Sequence, residues 1–278
     1  MTYKEALEIS EKALSEAGIK EFKNDALLLL QFVTGQDRTF FLTYGDSASL
    51  SEDEEERLKD AVKKRSLRTP LQFITGSVSF MGLDFKTAPG VLIPRIDTEF
   101  LTEEALIAVN DGAEILDLCT GSGCILLSIM KYKNDIKGTG SDISPEALAL
   151  ARENAELLGI NNLELIESDL FNDIEGQFDL IISNPPYIRS AEIPSLMEEV
   201  RDFDPIAALD GGEDGLTFYR KIAEGAKDHL YYGASLMFEI GFDQGNEVHD
   251  ILEKEGYKNI SILKDFSGNE RVVKCLKA

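Results

Sequence analysis

Apolar positions in residues 2–68 recur at helical spacing, with no convincing strand among them. Ala6, Leu7, Ile9, Ala13, Leu14 and Ala17 share one helix face before Gly18. Thr2 and Glu5 form a capping-box signature ahead of them. A second helix is predicted over residues 24–34, closed by Gly35, and Ser51 caps a third that runs to about residue 65. Between Pro70 and Leu92 the pattern changes to short β-like runs, 71–74 and 78–81, broken by Gly76 and Gly82. From residue 114 onward strands and helices alternate. Strands are predicted at 114–119, 138–142, 163–167, 178–183 and 235–240, with helices at 124–131, 145–158, 216–229 and 243–255 and final strands near Ile260 and Val272. Such alternation implies an α/β domain with a mostly parallel sheet covered by helices. The expected organisation is a helical domain over 1–69, a β-hairpin linker over 70–92 and an α/β domain over 93–278.

The strand at 178–183 is the most telling. Its branched apolar residues suit burial on both faces, and Asn184-Pro185-Pro186-Tyr187 stops it, because neither proline donates to a ladder. Ligands in open α/β sheets bind beyond the carboxyl ends of strands. There Asn184 offers an oxygen acceptor, Pro185 and Pro186 offer carbonyls, and Tyr187 offers a flat face. This is a receptor for a planar NH2 group. An isolated Asn-Pro pair would read as an ordinary turn; all four residues after such a strand favour the functional reading.

Asp117-Leu118-Cys119-Thr120-Gly121-Ser122-Gly123 ends one strand and opens a helix, where glycines admit a ligand to the backbone and free N–H groups await it. The spacing is not the G-x-G-x-x-G of a dinucleotide site. Asp142 closes the next strand, placed to accept from ribose hydroxyls, and Ser168-Asp169-Leu170 closes the third, where a carboxylate and an apolar side chain suit an adenine. With no phosphate-grasping lysine or P-loop, S-adenosylmethionine fits better than ATP or NAD.

Charge narrows the partners. Against 28 Lys and Arg stand 51 Asp and Glu, a net charge of −23, which opposes a nucleic-acid backbone. The densest basic cluster, residues 63–68, follows the acidic start of a predicted helix and reads as a dipole-compensating end. Cys119, Cys124 and Cys275 form no metal pair, and with only His229 and His249 beside them no metal site is expected. The richest apolar run, residues 26–30, is far short of the roughly 18 residues of a membrane span, and the first residues lack signal-peptide order. A soluble, cytoplasmic protein without a membrane partner is expected.

These motifs resemble the class I S-adenosylmethionine methyltransferases, and more closely the protein-(glutamine-N5) methyltransferases of the PrmC/HemK family. The resemblance spans nearly the whole chain. It rests on residues 70–76 (PLQFITG), 92–99 (LIPRIDTE), the 117–123 loop and 183–188. It continues through 211–216 (GGEDGL) with Tyr219 and Arg220, and 265–273 ending in GNERVV. Cys119 departs from the family's usual glycine and Ile96 from a common proline. The resemblance implies a Rossmann-like methyltransferase domain after a small helical substrate-docking domain and a hairpin. It implies that Cys119, Thr120, Gly121, Ser122, Gly123, Asp142, Asp169, Leu170 and Asn184 hold S-adenosylmethionine, the source of the product S-adenosylhomocysteine. Asn184, Pro185, Pro186 and Tyr187 would seat the glutamine of the Gly-Gly-Gln tripeptide of class 1 peptide chain release factors, with Asn184, Pro185 and Tyr187 catalytic and the enzyme a monomer. The alternatives are an N6-adenine or N4-cytosine methyltransferase of nucleic acid and a noncatalytic cofactor-binding adaptor.

Overall fold

The computed structural model describes residues 1–278. The chain divides into two compact units, Met1–Ser77 with Glu198–Phe203, and Val78–Met197 with Asp204–Ala278.

The first unit is helical: α1 (Tyr3–Glu16), α2 (Phe22–Thr34), α3 (Arg38–Tyr44), α4 (Glu52–Ser66) and α5 (Leu71–Thr75). Thr2 caps α1 through reciprocal bonds with Glu5, as their spacing predicts, and Ser51 caps α4 with a second such box through Glu54. Leu14, Leu29, Leu30 and Leu58 form the centre of its core. Two features differ from the sequence reading. Residues 71–74 form the helix α5 rather than a strand, closed by Gly76 at φ 76; a short apolar run suits either period, and the left-handed cap decides for the helix. The seven-residue α3, capped by Asp37, is too short for periodicity to reveal. The basic cluster also does more than offset a dipole. Arg65 is buried, its Nε donating to Asp25 Oδ2 at 2.8 Å and its Nη1 to Glu199 Oε1 at 3.2 Å. Arg68 bridges to Glu198 and Glu199.

The second unit begins with a hairpin, β1 (Ser77–Phe80) and β2 (Leu83–Lys86), then α6 (Ile96–Ala108), β3 (Glu114–Leu118), α7 (Cys124–Tyr132), β4 (Lys137–Asp142), α8 (Pro145–Leu158), β5 (Leu163–Glu167) and β6 (Phe178–Ser183). Past the one-turn α9 (Glu198–Arg201) of the first unit come α10 (Thr217–His229), β7 (Leu230–Glu239), α11 (Gly245–Lys254), β8 (Lys258–Lys264) and β9 (Glu270–Leu276). The seven-stranded sheet runs β5-β4-β3-β6-β7-β9-β8. Its first five strands are parallel, and β9 is antiparallel to both β7 and β8.

Burial on both faces follows from strand alternation. Ile115, Leu180 and Ile182 enter one core cluster, while Leu116, Leu118 and Ile181 enter the other. Helix α10 buries Tyr219, Ile222, Ala223 and Ala226, the stripe expected of a helix lying on a sheet. Helix α6 escaped the sequence reading. Strand order reverses between β3 and β6, the switch point at which loops diverge and leave a crevice. No helix is long and apolar enough to cross a membrane.

Candidate active site

At the carboxyl ends of β3, β4, β5 and β6 lies a cavity of about 790 Å³. That volume suits a nucleoside-sized ligand. Cys119–Ser122, Ser141–Ser144, Ser168–Leu170, Asn184 and Pro186 contribute to its walls, with residues 205–208 and the start of α10 opposite.

The β3–α7 loop turns through left-handed backbone at Cys119 (φ 58), Gly121 (φ 57) and Gly123 (φ 79). A Cβ on Gly121 would meet nothing within 4 Å, so its backbone is open to a ligand. Gly123 serves another purpose: a Cβ there would come within 2.9 Å of Leu127 Cδ1 and 3.2 Å of Ala151 Cβ. It lets α7 approach α8 and does not line the cavity. Thr120 Oγ1 donates to Asp117 Oδ2 at 2.6 Å. Burial lifts the fully buried Asp117 carboxyl to about 7, against the opposing Thr120 bond and with a further push from the Asp142 charge.

Asp142 ties two loops together. Its Oδ2 accepts from the Gly121 amide at 2.9 Å and its Oδ1 from the Ser144 amide at 3.0 Å. Burial raises its pKa while these amides lower it. Each oxygen keeps a second lone pair for a ligand hydroxyl. Asp169 is exposed at the rim, and Leu170 sits beside it at φ 55, held there by the Ser168 hydroxyl, which donates to Leu170 O and accepts from Asp173 N.

Asn184 lies on the cavity wall, and its Nδ2 donates to Thr98 Oγ1 of α6 at 3.2 Å, leaving Oδ1 as the available acceptor. Pro186 also faces the cavity; Pro185 is buried behind it. Tyr187 departs from expectation. Its ring packs against the apolar core and does not line the cavity, because its hydroxyl donates at 3.2 Å to Glu239 Oε1 at the end of β7. The turn's backbone is held as firmly: Gln244 Nε2 donates to Tyr187 O at 3.0 Å, and Ile188 N and O bond Leu209 O and Gly211 N.

Thr98 and Glu239 are the residues sequence reasoning missed. Both are buried, at 2% and 1% exposure. Burial lifts the Glu239 carboxyl to about 7, with Thr98, Arg271 and Tyr187 pulling down and Asp97 pushing up. The signal available was a lone acid closing the apolar run Leu236-Met237-Phe238. Arg271 in turn bridges Asp97 at 3.1 Å and Asp265 at 3.3 Å.

A sheet of this order, with one reversed strand set between its last two neighbours and a nucleoside-sized cavity at its switch point, defines a class I methyltransferase. The fold is similar to a crystal structure of a methyltransferase from Pyrococcus furiosus, with a TM-score of 0.56 at 20% identity over 82% of this chain and 100% of that one. Residues 82–200 match the methyltransferase small domain and residues 5–76 the PrmC N-terminal domain. The chain is 43% identical to the release factor glutamine methyltransferase of Clostridium acetobutylicum over 98% of each sequence. It is 40% identical to that of Geobacter sulfurreducens over 98% of this chain and 95% of the relative. The chain belongs to the release factor glutamine methyltransferase family.

Proposed function

We propose that this enzyme transfers a methyl group from S-adenosylmethionine to the side-chain amide nitrogen of the glutamine in the Gly-Gly-Gln motif of class 1 release factors, in the cytoplasm where they act. The observation that carries the reading is the Asn184 carboxamide, held by Thr98 with its oxygen free on the wall of the nucleoside-sized cavity. Full-length similarity to relatives named for this reaction supports it.

The residues present fit the cofactor. Gly121 is an open cradle, Asp142 has lone pairs for ribose hydroxyls, and Leu170 with Asp169 suits an adenine and its amine. When bound, the cofactor supplies an electrophilic methyl on a sulfonium. The protein's task is then the acceptor. An amide nitrogen is a poor nucleophile because its lone pair is delocalised into the carbonyl. Asn184 Oδ1 and a carbonyl of the Pro185–Pro186 turn accept its two hydrogens, raise negative potential on the nitrogen and turn its lone pair toward the methyl. Orientation and placed acceptors supply the rate, and no general base with a tuned pKa is required before transfer. Tyr187 contributes by fixing the turn through its anchored hydroxyl.

Incubation with S-adenosylmethionine and a release factor, followed by peptide mass spectrometry, tests the reading. A one-methylene mass gain on the tripeptide glutamine is expected; labelling of DNA or RNA instead, or of nothing, overturns it.

A further inference from the structure

A primary amide has two ends of nearly equal shape and opposite hydrogen-bonding sense. Asn184 serves as a receptor only if its oxygen faces the substrate, so something must determine which way the group is turned. Its nearest fixed partner, Thr98 Oγ1, does not decide this alone, because a hydroxyl both donates and accepts. If the Thr98 proton points at Asn184, the carboxamide must present oxygen to Thr98 and NH2 to the cavity. If that proton points elsewhere, Thr98 accepts from Nδ2 and the oxygen faces outward.

The acceptor available for that proton is Glu239, buried with one carboxylate oxygen unpaired. It closes β7, next to β6 in the sheet, and Ser183, the residue before Asn184, pairs with Phe238, the residue before Glu239. Its Oε1 accepts from the Tyr187 hydroxyl, whereas Oε2 is buried with no partner of normal hydrogen-bond geometry. The buried Thr98 hydroxyl lowers the Glu239 pKa, and its proton would satisfy that free oxygen. Above a pH of about 7 the carboxylate is ionised and accepts only. With that contact made, donor sense runs one way, from Asn184 N–H to the Thr98 oxygen and from the Thr98 proton to Glu239. Arg271, bridged to Asp97 and Asp265, supplies the countercharge. A carboxylate fully buried among Leu236, Met237 and Phe238 costs folding free energy that an apolar residue in its place would not. Its geometry gives it a use.

We propose that Glu239 is a positioning residue for methyl transfer: through Thr98 it sets the direction of the Asn184 carboxamide, and through the Tyr187 hydroxyl it anchors the turn that carries Asn184. This rests on the reading of Asn184 as the amide receptor. Glu239 does not line the cavity and acts only through these two side chains.

The test compares Glu239→Gln, Thr98→Val and Thr98→Ser with wild type, alone and combined with Asn184→Ala. Gln in place of Glu239 has the same shape, but its NH2 offers a proton to Thr98 and allows the reversed order. We expect Glu239→Gln and Thr98→Val to lower kcat about 10- to 100-fold, the loss that removing an orienting partner behind a functional group typically brings. The Kd for S-adenosylmethionine should stay within about 3-fold and Thr98→Ser should restore turnover. In the Asn184→Ala background Glu239→Gln should cost nothing further, since there is no carboxamide left to orient. Wild-type kcat in Glu239→Gln, full additivity with Asn184→Ala, or a loss confined to cofactor affinity overturns the proposal. If Asn184→Ala itself turns over normally, the receptor reading fails. If Asn184→Ala is impaired while Glu239→Gln and Thr98→Val are not, only the positioning role fails.

Discussion

Gly211 packs its Cα against the backbone of Tyr187: a Cβ at position 211 would lie 2.7 Å from Tyr187 Cα and 2.9 Å from both Gly215 Cα and Gly215 O. All three neighbours are main-chain atoms, so nothing there yields by rotating a side chain. Gly211→Ala should push the 184–187 turn out of place at a cost of about 1–3 kcal/mol. The expected result is a kcat reduced by about 10-fold or more with cofactor affinity nearly unchanged. Steady-state kinetics with a release factor, alongside calorimetric titration of S-adenosylmethionine, checks it; unaltered turnover counts against this contact as a support of the site.

Removing the receptor itself should be costlier. Asn184→Ala is expected to lower kcat by about 10²-fold or more, as loss of one preorganised polar group does elsewhere. Cofactor Kd should change little, because the carboxamide acts on the acceptor. A single-turnover assay separates this from slow product release.

Asp142 gives the reverse pattern. Asp142→Ala leaves the Gly121 and Ser144 amides unpaired and removes the acceptor for ribose hydroxyls. Hydrogen bonds to a charged group are worth about 1.5–3 kcal/mol, so the Kd for S-adenosylmethionine should rise about 10- to 100-fold. Calorimetric titration reads it directly, and an unchanged Kd would remove Asp142 from the cofactor site.

The α/β alternation, the Thr2–Glu5 capping box, the Asn184–Tyr187 turn and the 119–123 loop were legible because each depends on local pattern or on residues of restricted backbone. What escaped depends on contacts distant in sequence. Helix α6 begins within the 92–99 motif, to which the sequence reading gave no helix, and the five residues of α5 carry too few positions to separate helical from strand spacing. Tyr187 was expected to present its ring to the cavity, yet its hydroxyl follows an acid 52 positions away. No local rule pairs Thr98 with Asn184, 86 positions apart.

Two buried carboxyls give the fold a pH dependence of definite sign. Asp117 and Glu239 are both raised to about 7 by burial. Each holds a proton in the folded chain at a pH where the unfolded chain has lost it, so folding takes up protons. The resulting stability is fully present below the unfolded values near 4 and is lost as pH rises through about 7. The net charge of −23 acts in the same direction. The Tm should fall by at least about 3 °C between pH 5.5 and pH 8, and Asp117→Asn should flatten the fall. Differential scanning calorimetry in matched buffers measures it; a Tm rising over this interval would contradict the assignment.

Within the helical unit, Asp25 and Arg65 form a buried pair at 8% and 10% side-chain exposure. Asp25→Ala strands most of a guanidinium charge and should cost about 3 kcal/mol. Chemical denaturation measures the loss, and a change below about 0.5 kcal/mol would show that Glu199 alone satisfies Arg65.

Residues 198–203 group with a unit whose other residues all lie before position 78, so the polypeptide crosses the border between units three times rather than once. Expressing residues 1–77 alone would therefore deprive Arg65 and Arg68 of the acids at 198 and 199. A faithful dissection of this protein calls for a graft of that hexapeptide or for circular permutation, and a single protease nick between 77 and 78 would leave residues 198–203 of the first unit on the other fragment, bound to residues 1–77 only through contacts such as those of Arg65 and Arg68.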